Sequence, residues 1–442
     1  MKRIVHVCET ALLILTANLI PLWTETGFGK IPLTIATLLL CGSYLFTLIK
    51  GDGVKISDKR LKRLHRGCTL TKTGGIAAAV EVLILIGFFI VTDAGVIAKI
   101  FAVVLPVLLI GIVILCGSVR IAANSRQIKL TDHIAMLLFW WLPVVNIFLI
   151  RKFYLTAKRE YIFEADKVEL DSVREASQVC RTKYPVIMVH GIFFRDWQLM
   201  NYWGRVPASL KKNGASVFYG NQQSAQSVAD SAKELKAEIE KVLADTGAEK
   251  VNIIAHSKGG LDSRYAISRL GMADRVATLT TVNTPHRGCD MVDFLLDKIP
   301  DNIVDYIAAK YEKIFTVLGD TKPDFLAGVK DLSAERAKAY DQEMPDMPGV
   351  SYRSIMTVMN SPKAAGFPLN MGYRLIKKLN GANDGLVWEG SASHGDFRLV
   401  KHTGKRGISH GDVIDLMREN IEGFDVREFY VGILKDLKDQ GF

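Results

Sequence analysis

The stretch Val251-Asn-Ile-Ile-Ala-His-Ser257-Lys-Gly-Gly-Leu-Asp-Ser-Arg-Tyr265 decides the fold of the region around it. A short apolar, β-branched run typical of a buried strand enters a small-x-Ser-x-Gly turn, and a helical pattern follows. Such a strand–turn–helix unit places the serine on a sharp elbow, so Ser257 is the candidate nucleophile. Ala255 and Gly259 are small because larger side chains would collide where strand and helix meet. A serine that merely caps an ordinary helix is the simpler alternative.

Strands and helices alternate around this elbow, as a parallel sheet requires. The apolar runs Val186–Val189, Val251–Ala255 and Val276–Val282 predict buried strands, and Ser227–Leu243 has the pattern of an amphipathic helix. The connections of such a sheet are right-handed, and the loops at the carboxyl ends of its strands form the site. The predicted fold class is therefore α/β with a mostly parallel sheet.

A serine hydroxyl is a weak nucleophile, so a histidine must accept its proton and a carboxylate must hold that imidazole. In this fold the order along the chain is serine, acid, histidine. His286 precedes any plausible acid. His410 lies in a turn after the apparent last strand, Phe397–Val400, and is the preferred base, with His394 and His402 as alternatives.

The preferred acid is Asp384, in an Asn-Asp-Gly-Leu-Val segment that reads as a tight turn running into a short apolar strand. Asp396 and Asp412 are its rivals, although Asp412 is only two residues from His410 and badly placed to reach the far ring nitrogen. The oxyanion of the tetrahedral intermediate needs backbone donors. The amides of Lys258, at the start of the helix, and of Ile192, after His190-Gly191, are the candidates.

These elements together resemble the true lipases secreted by Gram-negative bacteria, within the α/β-hydrolase superfamily. The blocks that carry the resemblance occur in the family's order over residues 182 to 425: Lys183-Tyr-Pro-Val-Ile-Met-Val-His-Gly191, Tyr202-Trp-Gly-Arg-Val-Pro-Ala-Ser-Leu210, Val251-Asn-Ile-Ile-Ala-His-Ser257, Thr284-Pro-His-Arg-Gly288, Asn383-Asp-Gly-Leu-Val387 and Ser409-His-Gly-Asp412. The resemblance implies a triad of Ser257, Asp384 and His410. It also implies an oxyanion hole formed by Ile192 and Lys258.

The same resemblance bears on metal, lid and substrate. Those lipases bind a structural calcium through two aspartates, of which Asp412 matches one, but no aspartate lies between Asp346 and Asp384 to match the other. We therefore expect no cofactor, with Asp412 as a weak calcium candidate. Residues 291–349 resemble the family's helical lid. The lysine after the nucleophile, Lys258, raises the hypothesis that a cation beside the site favours anionic lipids.

The first 150 residues have a different character. Five apolar stretches approach membrane-spanning length: Ile4–Trp23, Ile31–Ile49, Ile76–Val91, Val96–Val119 and Ile134–Ile150. Lys and Arg outnumber Asp and Glu by 15 to 7 here, against 41 to 39 afterwards. The basic charge of the chain thus belongs to membrane loops, and the composition gives no support to a nucleic-acid partner. Glu9 and Glu81 lie near the ends of apolar runs and are interpreted as interfacial side chains.

The sequence therefore predicts an all-α transmembrane domain (1–150), a charged linker (151–181) and an α/β-hydrolase domain (182–442). The basic residues of 50–74 should face the cytoplasm. Charges after Ile150 favour a re-entrant or interfacial last segment, which places the catalytic domain on the cytoplasmic side of a bacterial cell membrane. The six cysteines show no spacing typical of zinc sites or disulfides.

The predicted function is a multi-pass, membrane-anchored serine hydrolase that cleaves carboxylic esters of lipids through an acyl-enzyme. An acyltransferase or thioesterase with the same triad is the first alternative. The second is a non-catalytic membrane module that retains the hydrolase fold. The expected partners are a lipid or other ester substrate and the bilayer, and the sequence carries no information on oligomeric state.

Overall fold

The computed structural model describes residues 2–25, 29–51, 53–192, 201–317, 320 and 323–442. By their contacts these residues form two compact units, Met1–Leu170 and Asp171–Phe442. The first unit is helical. Its helices are α1 (Lys2–Ala17), α2 (Leu19–Glu25), α3 (Lys30–Ile49), α4 (Lys59–Val91), α5 (Val96–Asn124), α6 (Leu130–Phe139) and α7 (Pro143–Arg174), the last continuing into the second unit.

Three of these helices, α3, α4 and α5, are long and apolar enough to cross a membrane. Two shorter apolar helical segments, Val5–Ala17 and Leu130–Phe139, also belong to this unit. The basic segment expected to be a loop is largely helical, because the Asp58 carboxylate caps α4 through the amides of Arg60 and Leu61. Residues 59–74 are thus the first half of α4.

The last apolar stretch and the linker also differ from expectation. Ile134–Ile150 is broken at Trp140–Leu142, and α7 starts at Pro143, a residue favoured at the first position of a helix because it has no amide hydrogen to satisfy. The residues expected to be a charged linker, 151–181, are helical up to Arg174.

Small and polar residues lie among the buried apolar side chains of the helical unit. Gly67 and Gly117 lie where α4 and α5 touch: a Cβ on Gly117 would lie 2.5 Å from the Thr71 hydroxyl oxygen. The two glutamates interpreted as interfacial are buried and have polar partners inside the unit. Glu9 is buried and pairs with Arg66 at 3.1 Å, and Glu81 is buried and accepts a hydrogen bond from the Asn18 amide at 2.7 Å.

The second unit is built on one six-stranded sheet in which every pairing is parallel. Its strands are β1 (Val186–Val189), β2 (Val217–Tyr219), β3 (Val251–His256), β4 (Val276–Val282), β5 (Ser351–Thr357) and β6 (Asp396–Val400). Their order across the sheet is β2-β1-β3-β4-β5-β6. The chain leaves β1 on one side for β2 and returns on the other side with β3. The carboxyl ends of β1 and β3 therefore flank a switch point, where ligands bind in such sheets.

Helices cover both faces of this sheet, with a separate apolar cluster on each. The helices are α8 (Val206–Lys212), α9 (Val228–Thr246), α10 (Lys258–Arg269), α11 (Asp290–Lys298), α12 (Asp301–Val317), α13 (Phe325–Lys330), α14 (Ala334–Glu343), α15 (Leu369–Leu379), α16 (Glu389–Ala392) and α17 (Val426–Asp439), with short 3-10 turns at Ala273–Arg275, Pro362–Ala364 and Asp412–Ile414. The predicted fold class, a mostly parallel α/β sheet preceded by an apolar helical region, is confirmed.

Individual elements agree closely with the sequence pattern where the strands are buried on both faces. The strands β1 and β4 have their predicted bounds, and β3 extends one residue further to His256. The sequence pattern did not indicate β2 or β5, and the apolar strand expected after Asp384 does not form. The residues expected to resemble a lid, 291–349, include α11, α12, α13 and α14; Leu318, Gly319, Thr321 and Lys322 of that range lie outside the described residues.

Candidate active site

Ser257 occupies the elbow between β3 and α10. Its backbone angles are φ 54° and ψ −131°, a conformation that costs free energy for any residue with a side chain. The strain is held from both sides, because the Ser257 amide donates to the Val282 carbonyl of β4 at 3.1 Å and its own carbonyl accepts from the Gly260 amide at 3.1 Å. Strain retained in this way is typical of functional positions.

Three glycines allow other backbone segments to approach this elbow. A Cβ on Gly191 would lie 2.8 Å from the Cβ of Ser257, so the loop after β1 passes directly beside the serine. A Cβ on Gly259 would collide with the His190 carbonyl oxygen, and one on Gly260 would collide with the Thr284 side chain. The small residues of the elbow are therefore required by contacts of the whole sheet as well as by the turn.

Asp384 and His410 lie in contact on the loops beyond β5 and β6. The Asp384 carboxylate and the His410 Nδ1 atom are 2.6 Å apart, and the His410 amide donates to the Asp384 carbonyl at 2.9 Å. The carboxylate is fully buried and accepts further hydrogen bonds from Asn283, Leu386 and Val387 at 2.6, 2.9 and 2.8 Å. These donors stabilise a negative charge on Asp384, which can orient an imidazolium at His410.

The His410 ring reaches the elbow through His256. The two ring centroids are 4.4 Å apart, and His256 immediately precedes Ser257 in the chain. The Tyr202 hydroxyl lies 2.6 Å from the His256 Nδ1 atom and fixes that ring. Burial and the neighbouring His410 hold the pKa of His256 well below its ordinary value, so His256 stays neutral beside His410. Between Ser257 and His410 themselves, both described, the structure contains no hydrogen bond.

The proposed oxyanion donors, Ile192 and Lys258, lie on either side of the serine. Lys258 is the first residue of α10, so its amide belongs to the turn whose N–H groups have no partner within the helix. Ile192 is buried, and the loop before it is held by the Gln222 side chain, whose amide donates to the His190 carbonyl at 3.0 Å. Both amides thus belong to segments that flank the elbow.

The Lys258 side chain does not support the hypothesis of a cation beside the site that recognises anionic lipids. It is almost fully buried, and its Nζ atom donates to the Asp262 carboxylate at 2.8 Å and to the Ser231 hydroxyl at 2.9 Å. Burial raises the pKa of Asp262 to about 7, against the opposing attraction of Lys258. The lysine points away from solvent because its charge is compensated inside the domain.

The alternative acids and bases have other partners. His394 binds the Asp346 carboxylate at 2.9 Å, and the His402 Nε2 atom lies 2.7 Å from the Glu422 carbonyl oxygen. Asp396 is exposed on β6. None of these three is joined by a described hydrogen bond to Asp384 or Ser257.

The contacts of the Asp412 carboxylate do not suit a calcium ligand. Its two carboxylate oxygens accept from the Arg406 guanidinium at 2.7 and 3.0 Å, and one also accepts from the Ser409 amide at 2.8 Å. A cation here would have to displace a guanidinium. No group of three or more metal-ligating side chains occurs among the described residues.

Three residues near the site have roles that the sequence analysis did not assign. Asn283, in the left-handed region at φ 50°, donates to Asp384, and Tyr202 and His256 support the His410 ring. The positions of two of these residues in the sequence could have indicated their roles. Asn283 directly follows β4, the strand beside β3, and His256 directly precedes the candidate nucleophile. Their partners could not be inferred, because they are distant in sequence.

A strained serine elbow at the switch point of a parallel sheet defines the C-terminal unit as an α/β-hydrolase fold. A family model described as palmitoyl protein thioesterase matches residues 185–321. The chain is 34% identical over 182 residues to a triacylglycerol lipase of Pseudarthrobacter phenanthrenivorans, covering 38% of this chain and 56% of the relative. It is also 34% identical to one of Burkholderia plantarii, covering 38% and 50%.

The chain is thus similar in sequence to triacylglycerol lipases, although it spans only about half the length of the curated relatives it matches. Among solved structures, the Staphylococcus hyicus lipase is similar with a TM-score of 0.45 at 19% identity, covering 59% of this chain and 97% of the other. The mature Bacillus licheniformis lipase BlEst2 is similar with a TM-score of 0.43 at 22% identity, covering 57% and 92%.

Proposed function

We propose that this protein is a membrane-anchored serine hydrolase that cleaves carboxylic esters of lipids. The observation that carries the proposal is the buried Asp384–His410 hydrogen bond of 2.6 Å, formed beside the strained serine elbow. Asp384 keeps His410 in the tautomer whose Nε2 atom is free to accept a proton. The similarity to triacylglycerol lipases supports an ester as the substrate.

The proposed chemistry runs through an acyl-enzyme. The Ser257 oxygen attacks the ester carbonyl while His410 takes the hydroxyl proton, and the amides of Ile192 and Lys258 stabilise the oxyanion. Collapse of the intermediate breaks the ester bond, and His410 gives its proton to the departing alcohol. Water then attacks the acyl group and loses its proton to His410. His410 passes this proton to the departing Ser257 oxygen, which releases the carboxylic acid and restores the serine hydroxyl. A small movement that brings His410 within reach of Ser257 precedes the first step, because catalytic contacts often tighten only when substrate binds.

The helix α12 supports a lipid substrate. Its outer face exposes Ile303, Tyr306 and Ile314 by 45%, 60% and 51%, an unusually apolar surface for a helix in water. Its inner face contributes Ala308 to a buried cluster with Ile192, so this helix packs against the loop that carries an oxyanion donor. We propose that α12 covers the acyl site and meets lipid with its outer face.

Hydrolysis of fatty acyl thioesters is the second candidate function, favoured by the family model described as palmitoyl protein thioesterase. The same acyl-enzyme forms from a thioester, and only the leaving group differs. Turnover of a long-chain acyl thioester and of a carboxylic ester with the same acyl chain would separate the two. A clear preference for the thioester at equal concentration would replace the ester proposal.

The decisive test uses wild type and Ser257→Ala, with Ser268→Ala on the same helix as the matched control. A fluorophosphonate probe should label wild type and the control and leave Ser257→Ala unlabelled. Incubation with a membrane lipid extract should release free fatty acids with wild type and the control but not with Ser257→Ala. The identity of the products shows the substrate class. An unlabelled wild type would instead favour a binding module that retains the fold.

We further propose that the catalytic unit faces the cytoplasm of a bacterial cell, because basic residues concentrate at 50–74 and after Ile150. Two reporters, each fused after Phe442, distinguish the sides of the membrane. Alkaline phosphatase reports the outside, and a fluorescent protein reports the cytoplasm. We expect fluorescence without phosphatase activity. Strong phosphatase activity would place the catalytic unit outside.

A further inference from the structure

A cavity of about 580 Å³ lies within the helical unit, in the size range of sites that hold small organic ligands. Among its described lining residues, four basic side chains, Lys50, Arg66, Lys72 and Lys158, face a single carboxylate, that of Glu9. The lining also contains apolar and aromatic groups, among them Val5, Tyr154, Tyr161 and Ile162. This combination of cationic and apolar walls suits a ligand with an anionic head and an apolar body.

The charges in this cavity are only partly compensated. Glu9 is shared between Arg66 at 3.1 Å and Lys50 at 3.4 Å, which accounts for its one negative charge. The exposed Lys72 and Lys158 make no ion pair among the described residues. An anion entering the cavity would therefore meet at least two free ammonium groups.

Two buried nitrogen atoms of lining residues also have no partner in the part of the chain that the structure describes. The Arg66 guanidinium donates to Glu9 and to the Thr47 carbonyl, yet its Nε atom is buried without an acceptor. The Nδ1 atom of His6 lies 3.1 Å from the Thr73 hydroxyl, while its Nε2 atom is likewise buried and unpartnered. Buried polar groups are nearly always hydrogen-bonded, so these two nitrogen atoms are available to a polar ligand.

The position of the cavity along the helices indicates which class of ligand it binds. Lys50 directly follows the apolar helix α3, and Lys72 precedes the apolar half of α4, which starts at Ile76. Both line the cavity, so it lies where the apolar stretches end, at the depth of lipid head groups. Basic pockets between membrane helices at this depth are suited to anionic head groups.

We infer that this cavity binds the phosphate of an anionic phospholipid, with Arg66, Lys72 and Lys158 as its cationic contacts. The inference rests on the proposed membrane insertion and is independent of catalysis. The lipid would act here as a bound structural or regulatory ligand rather than as substrate, since every lining residue belongs to the helical unit.

The test compares two double variants in the full chain carrying Ser257→Ala, so that no lipid is hydrolysed. Lys72→Gln/Lys158→Gln removes two cations that line the cavity. The matched control, Lys59→Gln/Arg159→Gln, removes two exposed cations from the same helices outside the cavity. Each protein in neutral detergent is titrated with phosphatidylglycerol or phosphatidylcholine, and native mass spectrometry counts the retained lipids.

We expect one phosphatidylglycerol to be retained in preference to phosphatidylcholine, about tenfold or more weaker binding in the cavity variant, and unchanged binding in the control. Competition by glycerol phosphate distinguishes a free phosphate ester from a lipid: displacement at millimolar concentration would assign the site to the soluble ester instead. Equal retention of both lipids, or equal loss in both variants, would overturn the inference. Alkaline extraction of membranes tests insertion separately.

Discussion

In the helical unit Ile31, Leu38 and Ile90 lie on the outside, exposed by 77%, 68% and 78%, whereas in the α/β unit Val186 and Leu279 are fully buried. The interior of the helical unit contains glycines and the Glu9–Arg66 pair beside buried apolar residues such as Leu64 and Leu70. Water drives apolar side chains inward, but lipid gives no such driving force, so membrane helices associate through small residues and internal polar contacts. The difference supports the proposal that the helical unit lies in lipid while the α/β unit lies in water.

Both units nevertheless use glycine at their closest contacts. Gly117 lets α5 touch α4, and Gly191 lets the loop after β1 pass beside Ser257. In the helical unit the contact lets two helices associate, and in the α/β unit it lets the loop after β1 approach the serine. If the two units are independent in this way, a substitution in one should leave the readout of the other unchanged.

The largest expected effect is that of Asp384→Asn, confined to the α/β unit. Loss of the carboxylate leaves His410 without the partner that selects its tautomer, and we expect kcat/KM for a soluble ester to fall by about 10⁴-fold. Asp396→Asn, at an exposed position on β6, is the control and should retain full activity. Activity of Asp384→Asn within tenfold of wild type would contradict the proposed triad.

The next effect concerns the buried charges. Lys258→Met leaves the Asp262 carboxylate without its cation, and we expect the free energy of unfolding to fall by about 3–5 kcal/mol. The double variant Lys258→Met/Asp262→Leu should recover much of this loss, because neither charge then remains buried alone. Urea pulse proteolysis of the α/β unit measures both.

The single variant Lys258→Met also tests lipid selectivity. Because the Lys258 ammonium group is paired inside the domain, we expect the ratio of turnover between phosphatidylglycerol and a neutral ester to be unchanged in whatever folded Lys258→Met remains. A shift of that ratio towards the neutral ester would instead support a role of the Lys258 cation in recognising anionic lipids.

A smaller effect is expected in the helical unit from Gly117→Leu. Its side chain would collide with Thr71 and separate α5 from α4, at a cost of about 1–3 kcal/mol. Gly111→Leu on the same helix is the matched control, because nothing lies within 4 Å of a Cβ there. We expect a lower melting temperature in detergent for the first variant alone, with fluorophosphonate labelling unchanged in both. Equal melting temperatures for the two variants would contradict a role of the Gly117 contact in stabilising the helical unit.

A pH dependence, which needs no substitution, also belongs to the α/β unit. Burial, followed by neighbouring histidines, holds the pKa values of His256 and His286 well below 6.5. Below pH 6.5 the unfolded chain binds protons there that the folded chain does not. The free energy of unfolding should therefore fall as pH falls, by up to about 1.4 kcal/mol per pH unit for each histidine.

Pulse proteolysis in urea between pH 7 and pH 5 checks this dependence. His286→Asn should show roughly half of the slope, because one of the two histidines is removed. A midpoint for the α/β unit that does not move over this interval would show that neither histidine is kept neutral by the fold.

Much of the fold was predictable because its signals are local. The runs Val186–Val189 and Val276–Val282 are buried on both faces, so their apolar continuity marks their bounds. The short edge-side strand β2 and the polar β5 lack that continuity. Likewise, helix α7 runs through a charged segment that composition alone reads as a linker.

The parallel sheet, the Ser257 elbow and the apolar character of the first unit could be read from the sequence, because neighbouring residues carry each of these patterns. Only the tertiary structure decided which histidine meets which acid, since His410 and Asp384 are brought together by loops beyond two adjacent strands. It also decided that Lys258 turns inward to Asp262 and that Glu9 pairs with Arg66. Hydrogen bonds and ion pairs between distant residues depend on strand order and helix packing, which no local pattern specifies.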